Sequence, residues 1–419
     1  MTDAVTTWAG THTFGAARLV VAHSIAEAAE AVAAEAADAS PVRALGTRHS
    51  FHDLADTSGT LISLTEVRPK PNLDETARTV TVGAGTRYGV LARELERHGW
   101  ALHNLGSLPH ISIAGATQTG THGSGVGNGN LSTAVAGFEF ITAEGELATV
   151  RRGDPDFPAL VVGLGAFGVI TRVTLDIEPT YQVRQDIFTG ITWDTLLADP
   201  DAILTAAYSV SVFAHWGEPT LEQIWVKARV GRDVTPASGW LGGTRLDGPT
   251  TLVDGDPADL TEQGTAGPWL ERLPHFRLDG TPSNGDEIQT EYFVARADAS
   301  AALAAVRKLA ARIDPLLMIT ELRTVAPDDL WLSGAHGRET LAIHFTWHNL
   351  PGIVAEVLPA IEAALAPFAP RPHWGKWHAF DAERIAAAYP HLADARAVFD
   401  ARDPHGRFAN SHLRRLAVR

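Results

Sequence analysis

The sequence predicts an α+β protein with two lobes, and three observations lead to this prediction. The chain has 419 residues, which favours two or three units that each bury their own core. Its first third alternates short apolar runs with helical patterns, as expected of a mixed unit. Beyond residue 179, strand patterns alternate with helical ones, which is typical of a mostly antiparallel sheet covered by helices on one face.

The first lobe is predicted to begin with an alanine-rich helix. Ser24 and Glu27 form a capping box that opens it, and the helical pattern continues to about Ala37. A second helix is predicted over residues 88–98, because Gly99 follows and glycine commonly ends helices. The β patterns of this lobe are residues 42–45, 61–64, 79–82, 138–141 and 169–175, with a turn at 144–145.

The boundary of the first lobe is predicted near Pro179. Strands are expected at residues 222–230, 288–294 and 340–347, and helices at 299–312 and 353–367. Residues 231–287 are rich in Gly, Pro and Asp and long for a loop, so they are interpreted as a lid or as irregular surface. The predicted organisation is residues 1–178, residues 179–372, and a C-terminal segment, 373–419, that returns to the first lobe.

Composition and charge exclude several classes of function. The net charge of −15 disfavours binding to nucleic acids or anionic membranes, since both require a basic surface, and it suits a small neutral substrate. The absence of cysteine excludes disulfides, thiolate metal sites, iron–sulfur clusters and thiol nucleophiles. The N-terminus does not resemble a signal peptide, and no stretch approaches the roughly 20 apolar residues that span a bilayer. A cytoplasmic protein without a membrane partner is expected, and a monomer.

A glycine motif at residues 163–168 satisfies the pattern of dinucleotide-binding loops, but its context is wrong. In such loops a helix follows the glycines and its N-terminus receives the pyrophosphate, whereas here a β-branched strand pattern follows. The glycines are interpreted as a tight turn between two elements.

Two other loops are better candidates for phosphate binding. Residues 43–51 leave a strand, turn at Gly46, and offer consecutive backbone N–H groups and hydroxyls that can hold pyrophosphate oxygens. Residues 112–125 are dense in small and hydroxyl-bearing side chains, so a ligand could approach the backbone closely. Two such loops in one lobe indicate a diphosphate cofactor.

Four motifs resemble those of the vanillyl-alcohol-oxidase flavoprotein superfamily in order and spacing. They are residues 45–50, 107–112, 119–125 and 164–170. Within that superfamily the chain resembles the alditol oxidases over essentially its whole length. The C-terminal half is the more similar, at residues 268–276, 321–325, 344–347, 371–376 and 403–410.

The resemblance implies an FAD-binding domain of the vanillyl-alcohol-oxidase (PCMH) type in residues 1–178 and a substrate domain in 179–372. It also implies that FAD is covalent, with His49 joined to the flavin 8α carbon. Residues 44–50 would wrap the pyrophosphate. Besides His49, the resemblance assigns the following residues to the cofactor: Ala44, Leu45, Gly46, Thr47, Arg48, Ser50, Ser107, Ser112, Gly115, Thr119, Gly120, Thr121, His122 and Ile170.

The same resemblance implies a polyol pocket. Glu321 and Arg323 are two residues apart, so on a strand they leave the same face, and His344 and Thr346 repeat this spacing. These four residues, Lys376 and Ser107 are implied to bind the substrate. As a hypothesis, Arg323 and Lys376 lower the pKa of the reacting hydroxyl and His344 takes its proton while hydride moves to flavin N5. Glu321 and Thr346 would hold neighbouring hydroxyls.

Two positions affect how the resemblance is interpreted. The family usually has glycine where this chain has Arg48, so that side chain must point away from the cofactor or pair with its phosphates. Gly106 precedes Ser107 near the implied flavin edge, where the absence of a Cβ leaves room for O₂. This favours an oxidase that forms hydrogen peroxide.

Three alternatives stay open at this point. An aldonolactone or sugar dehydrogenase of the same fold would pass electrons to a quinone or a cytochrome. A flavin- or sugar-binding protein without turnover would use the pocket for recognition only. A metal enzyme is the weakest alternative, because the 18 histidines form no compact ligand motif, so no metal is expected.

Overall fold

The computed structural model describes residues 5–36, 40–248, 250–251, 256–280 and 285–419. The N-terminal part combines short strands with helices, as predicted. Its elements are β1 (Arg18–Val21), α1 (Ile25–Ala36), β2 (Val42–Leu45), β3 (Thr60–Ser63), β4 (Asn72–Asp74), β5 (Thr79–Gly83), α2 (Tyr88–Arg97), β6 (Trp100–Ala101), α3 (Ile113–Gln118), β7 (Val135–Ile141), β8 (Leu147–Arg151), α4 (Phe157–Leu160), β9 (Val169–Asp176) and β10 (Glu178–Pro179).

The N-terminal strands form a small parallel sheet, in the order β1-β3-β2, and an antiparallel sheet, in the order β4-β5-β9-β7-β8. One half of the predicted capping box is confirmed, because Ser24 Oγ accepts from Glu27 N–H. The Glu27 carboxylate reaches one residue further back and accepts from His23 N–H. The predicted end of this helix, Ala37, lies outside the described residues. Gly99 follows α2 with a φ of +78°, a left-handed conformation that favours glycine.

The glycine motif at 163–168 opens onto strand β9 and not onto a helix, so its interpretation as a turn is confirmed. Leu164 and Gly165 both have positive φ, which makes the chain reverse sharply before the strand. A helix N-terminus that could receive a pyrophosphate is therefore missing directly after the motif.

The second part of the chain contributes one large antiparallel sheet and the helices that cover it. Its elements are β11 (Gln182–Thr189), α5 (Trp193–Ala198), α6 (Asp201–Leu204), β12 (Ser209–Ala214), β13 (Gln223–Arg229), β14 (Thr244–Arg245), β15 (Ala266–Pro268), β16 (Glu287–Ala295), α7 (Ala299–Arg307), α8 (Ala310–Ile313), β17 (Leu317–Val325), β18 (Thr340–His348), α9 (Pro351–Leu365) and β19 (Arg371–Pro372). The strand order is β14-β11-β13-β12-β17-β18-β16-β19, and β15 pairs with β11.

Two predictions for this part differ from the structure. The helix expected over 299–312 is divided into α7 and α8, because Leu309 N–H bonds to Val306 C=O three residues back and tightens the turn between them. Residues 231–287 are not one irregular loop. Where the structure describes them they include β14 and β15, and both strands pair with β11.

The C-terminal residues form α10 (Ala382–Ala388), α11 (Leu392–Arg402) and α12 (Ser411–Arg415). They bond to the N-terminal part of the chain. The Arg43 guanidinium donates to Phe408 C=O, and Asn410 donates to Leu54 C=O. His412 Nδ1 lies 2.7 Å from Asp53 Oδ1. These contacts hold residues 403–415 against the loop that follows β2.

Helix α9 and the turn after it form an apolar segment, Pro351–Phe368, of 18 residues with a mean hydropathy of 1.4. By length and composition alone this segment could cross a membrane, so the expectation that no stretch approaches the length of a span is corrected here. One face is buried, with Val357, Ile361 and Leu365 in the core. Glu362 is also buried on that face and bonds to the Tyr292 hydroxyl. A helix with one buried face and an internal carboxylate is typical of a core helix.

Candidate active site

A cavity of about 840 Å³ lies where the two glycine-rich loops face strands of the large sheet. All of the cofactor and substrate residues that the sequence predicted line this cavity, except Gly120. The lining includes Ala44, Leu45, Gly46, Thr47, Arg48, His49, Ser50, Ser107, Ser112, Gly115, Thr119, Thr121, His122, Ile170, Glu321, Arg323, His344, Thr346 and Lys376. Gly120 is not in this lining. It is buried with a φ of +66° and serves the turn between Thr119 and Thr121.

The two loops are packed closely against each other. Thr47 Oγ1 accepts a hydrogen bond from Ser112 N–H at 3.1 Å. A Cβ added to Gly46 would lie 2.7 Å from Ser112 Oγ, and one added to Gly115 would lie 2.8 Å from the same atom. A Cβ at either glycine would force the Ser112 hydroxyl to move, so small residues at both positions leave this side of the cavity open to a ligand.

His49 is in a suitable state for attachment to a flavin. Its ring stacks on Trp8, with the centroids 5.2 Å apart and the planes at 23°. Burial, together with the charges of His110 and Arg87, lowers the pKa of His49 to about 4, so the imidazole is neutral at pH 7. Its Nδ1 is buried without a hydrogen-bond partner among the described residues. A neutral imidazole with a free nitrogen beside the two loops fits FAD.

Arg48 has the backbone conformation that the family glycine would favour. Its φ is +65°, in the left-handed region where residues with a Cβ are strained. The side chain is exposed, and its guanidinium donates to Thr6 C=O at 3.3 Å. Arg48 C=O also accepts from Trp8 N–H, so the N-terminal segment covers this side of the loop.

We expect Arg48→Gly to raise the free energy of unfolding by about 0.5–1 kcal/mol, because glycine relieves the left-handed strain. Arg48→Ala is the matched control, since it removes the same exposed side chain and keeps the Cβ. Thermal unfolding of both variants checks this. Equal melting temperatures for the glycine and alanine variants would contradict the strain argument.

The opposite wall of the cavity is built by the register of three neighbouring strands. Glu321 of β17 lies directly across from His344 of β18, and His344 lies directly across from Glu291 of β16. Side chains at facing positions of adjacent strands leave the same side of a sheet. The register therefore places two carboxylates and an imidazole in one row facing the cavity.

Two cations neutralise this row. Arg323 Nη2 lies 2.7 Å from Glu291 Oε1, and its Nε lies 3.4 Å from Glu321 Oε2. This confirms that Glu321 and Arg323 share a strand face. Lys376 Nζ lies 2.9 Å from Glu291 Oε2. Arg323 Nη1 also donates to Ser107 Oγ at 3.3 Å, which links the wall to the segment that precedes the second loop.

The charge state of each group follows from its neighbours. Burial by itself would raise the pKa of Glu291, but the charges of Lys376 and Arg323 outweigh burial and hold that pKa well below its usual range. The pKa of Glu321 is likewise lowered, because Arg323 and His275 outweigh its burial. Burial lowers the pKa of Lys376, although Glu291 opposes this effect. Both carboxyl groups are therefore ionised at neutral pH.

His344 is a neutral imidazole in the middle of this charged row. Burial and the nearby charge of Lys376 lower its pKa well below the usual value of 6.5. Neither ring nitrogen has a hydrogen-bond partner in the part of the chain that the structure describes. A buried imidazole without partners, lining a cavity, is free to bond to a ligand hydroxyl.

Sequence reasoning missed Glu291, which is the central anion of this wall. Its side chain is 0% exposed and its oxygens lie within 3.2 Å of groups on Arg323, Lys376 and His122. The strand pattern at 288–294 was recognised, but the carboxylate inside it was not. The signal in the sequence is a glutamate in the middle of a mostly apolar strand pattern. Because buried carboxylates are almost always paired, such a glutamate indicates a buried ion pair.

His122, Glu291 and His373 have potential ligand atoms close enough together for a metal ion. The carboxylate of Glu291 is already between the cations of Arg323 and Lys376. His373 Nδ1 accepts from Gly375 N–H, which fixes its hydrogen on Nε2. A further cation would be repelled here, so the cluster is explained as an ion-pair network.

Comparisons with known proteins agree with this geometry. Residues 16–151, which contain both loops, match the family described as FAD binding domain, and residues 285–416 match D-arabinono-1,4-lactone oxidase. The chain is 44% identical to an alditol oxidase of a Streptomyces species, over 99% of both chains. It is 30% identical to an L-gulono-1,4-lactone dehydrogenase of Mycobacterium tuberculosis, over 98% of both. A crystal structure of cholesterol oxidase from B. sterolicum shares the fold, with a TM-score of 0.78, 17% identity, and coverage of 99% and 96%.

The fold and the site together define an FAD-dependent oxidoreductase with the two-lobed architecture of the vanillyl-alcohol-oxidase flavoproteins. The identity to the Streptomyces enzyme extends along the whole chain. The chain belongs to the alditol oxidase family.

Proposed function

We propose that this protein oxidises the terminal primary hydroxyl of alditols such as xylitol and sorbitol to the aldose, with reduction of O₂ to hydrogen peroxide. The observation that carries the proposal is the neutral imidazole of His344, which has no hydrogen-bond partner among the residues that the structure describes and lines the cavity with Arg323 and Lys376. A polyol has a hydroxyl on each carbon, and a wall of fixed donors and acceptors favours ligands that pair with all of them. The similarity to alditol oxidase supports the same substrate class.

The wall residues divide the work of oxidising an alcohol. The cations of Arg323 and Lys376 stabilise negative charge that develops on the reacting oxygen. His344 accepts the hydroxyl proton at a ring nitrogen, and the ionised Glu321 and Glu291 on either side stabilise the imidazolium that results. Glu321 and Thr346 accept hydrogen bonds from the neighbouring hydroxyls. FAD, which residues 44–50 and 112–122 would hold, would supply the acceptor for the two electrons of the alcohol.

The function is tested by adding xylitol to the purified enzyme without oxygen. We expect the yellow flavin absorbance to bleach, because two electrons leave the alcohol for each aldehyde formed. A protein that only binds flavin or sugar would stay yellow. Bleaching by an aldonolactone but not by xylitol or sorbitol would replace the proposed substrate class.

The electron acceptor is tested separately, because the relatives include both oxidases and a dehydrogenase. Gly106 lines the cavity, and a Cβ added there would lie 3.6 Å from His122 C=O and 3.7 Å from Thr121 Cγ2. The space that this Cβ would fill is available to O₂. We expect the reduced flavin to reoxidise within seconds in air-saturated buffer and to form one hydrogen peroxide per turnover. Slow reoxidation that a quinone accelerates would support a dehydrogenase.

We further propose that FAD is bound covalently through His49. The free Nδ1 in a buried, neutral ring supports this. Acid precipitation of the parent should leave the yellow colour in the pellet, whereas His49→Ala should release it into the supernatant. His110→Ala is the matched control, since His110 lies near His49 and outside the cavity lining. A colourless parent pellet would contradict the linkage.

A further inference from the structure

The sequence analysis left a lysine and a histidine beside Glu321 without a role. Lys227 lies behind the substrate wall, outside the cavity lining, and His275 lines the cavity next to Glu321. Lys227 of β13 is fully buried, and its Nζ lies 3.0 Å from His275 Nδ1. His275 Nε2 in turn lies 2.7 Å from Glu321 Oε1. The three side chains therefore form a continuous line that ends at a residue of the cavity.

The partners of Lys227 determine the direction of these hydrogen bonds. Besides His275, Nζ donates to Leu273 C=O at 2.6 Å and to Pro274 C=O at 3.2 Å. An ammonium group has three N–H donors and no acceptor, and here it meets three acceptors. His275 Nδ1 must then accept from Lys227, which leaves the ring hydrogen on Nε2. His275 can only donate to Glu321.

This donation fixes the state of Glu321. One carboxylate oxygen, Oε1, is occupied by His275 Nε2–H, and the other, Oε2, lies 3.4 Å from Arg323 Nε. A charge-assisted hydrogen bond to the ionised form favours that form and restricts the rotamer. The Glu321 carboxylate therefore faces the cavity in one orientation and can accept a hydrogen bond from a ligand hydroxyl.

His275 also holds the loop that faces Glu321. The backbone N–H groups of His275 and Phe276 both donate to Ser107 C=O, at 3.1 and 3.2 Å. Ser107 Oγ accepts from Arg323. The segment that contains His275 therefore connects both sides of the polyol pocket.

We propose that Lys227 and His275 are positioning residues for alditol binding, which hold Glu321 ionised and oriented by fixing the His275 ring as an Nε2–H donor. This inference rests on the proposed function, because it assigns Glu321 to the substrate. The two residues act through Glu321 and Ser107, and they leave proton removal to His344.

The tests are made at pH 6, where Lys227 carries its charge. Burial lowers the pKa of Lys227 to about 7, against the attraction of Glu321 and with a smaller contribution from Arg323. The Trp225 ring, with its centroid 5.5 Å from Nζ, is the other group that faces the ammonium. Below pH 7 Lys227 is therefore mostly an ammonium group, which donates to all three of its acceptors.

The first experiment measures the His275 ring in the oxidised enzyme without substrate. Ring ¹⁵N spectra of histidine-labelled protein, with His275 assigned by its loss in His275→Phe, distinguish a protonated nitrogen from a bare one. We expect a bare Nδ1 and a protonated Nε2 in the parent, and hydrogen on both nitrogens in Lys227→Met, because burial and the Lys227 charge together lower the pKa of His275 and that charge is lost, while Glu321 still accepts from Nε2. An unchanged tautomer in Lys227→Met would overturn the role of Lys227, whatever the substrate of the enzyme is.

The second experiment measures how tightly xylitol binds, from the substrate dependence of flavin bleaching without oxygen. We expect Lys227→Met and His275→Phe to raise the apparent Kd on the order of tenfold, while the limiting rate changes by less than about threefold. His275→Gln keeps a donor for Glu321 and should restore most of the affinity. Lys308→Met, which removes an exposed lysine charge, is the control and should match the parent.

The outcomes separate the proposals from one another. Equal loss of affinity in His275→Phe and His275→Gln would overturn the donor role, since only the glutamine variant keeps an N–H donor for Glu321. If Lys227→Met does not fold, the comparison of the two His275 variants decides. A parent enzyme that xylitol never bleaches would contradict the proposed function, and the ring spectra would still test the link between Lys227 and His275.

Discussion

Replacing Lys376 with methionine is expected to lower the rate of flavin reduction by xylitol about a hundredfold or more, because a preorganised charge beside the reacting oxygen is lost. Lys376 Nζ is positioned by Glu291 at 2.9 Å, and the side chain is 13% exposed, so water replaces it poorly. Methionine has a similar length and no charge. The packing of the loop after Trp374 should therefore survive.

The measurement is stopped-flow bleaching of the flavin at saturating xylitol without oxygen. Lys376→Arg is the matched control, because it keeps the positive charge with a different shape, and it should lose less than the methionine variant. The flavin content of all three proteins should be equal. Turnover by Lys376→Met within about threefold of the parent would refute its part in the reaction.

The second large effect is expected from Glu291→Gln, which should lower the free energy of unfolding by about 3 kcal/mol and also abolish efficient turnover. Glutamine keeps the shape of the side chain but leaves Arg323 and Lys376 buried without their shared anion. Removing one partner from a buried ion pair typically costs about 3–5 kcal/mol. The repulsion between the two cations would also displace them from the substrate.

Glu362→Gln provides a matched control for this variant. Glu362 is also a fully buried glutamate, and it pairs with Arg384 and the Tyr292 hydroxyl on the helix-covered side of the sheet. Both variants should be destabilised in urea unfolding, but only Glu291→Gln should lose xylitol oxidation. Equal activity of the two variants would show that Glu291 is structural only.

The loss of stability in Glu291→Gln should depend on pH, because the pKa of Glu291 is lowered in the folded protein. Its folded pKa lies well below the usual value of 4.5, so the stability that it contributes is fully present above pH 4.5 or so. That stability is lost as the pH falls through the folded value. The difference between parent and Glu291→Gln should thus be constant near neutral pH and shrink in acid.

The sequence predicted the cofactor loops better than the wall of the pocket, for a physical reason. The cofactor role proposed for residues 43–51 and 112–125 depends on backbone groups and small side chains, so it can be predicted from their composition. The arrangement of the wall depends on which carboxylate pairs with which cation, and the sequence does not show these pairings. Glu291 was missed because its three partners lie at 122, 323 and 376 in the sequence.

Arg48 shows what the family resemblance could predict. The family usually has glycine at that position, and the structure gives Arg48 a left-handed φ of +65° with its side chain on Thr6 C=O. The helix expected at 299–312 was predicted less well, since a tightened turn with Leu309 N–H bonded to Val306 C=O divides it into α7 and α8. Local propensity does not determine such an interruption.

By itself the sequence determined the α+β class, the two loops that approach a cofactor, and the pairs of polar residues that share a strand face. These features depend on spacing along the chain, on glycine, and on the two-residue period of a strand. Only the tertiary structure decided that Glu321, His344 and Glu291 form one row, and that Lys227 reaches Glu321 through His275. The pairing register of distant strands and the loss of solvent in the interior set those contacts and their charges, and neither is encoded in a local pattern.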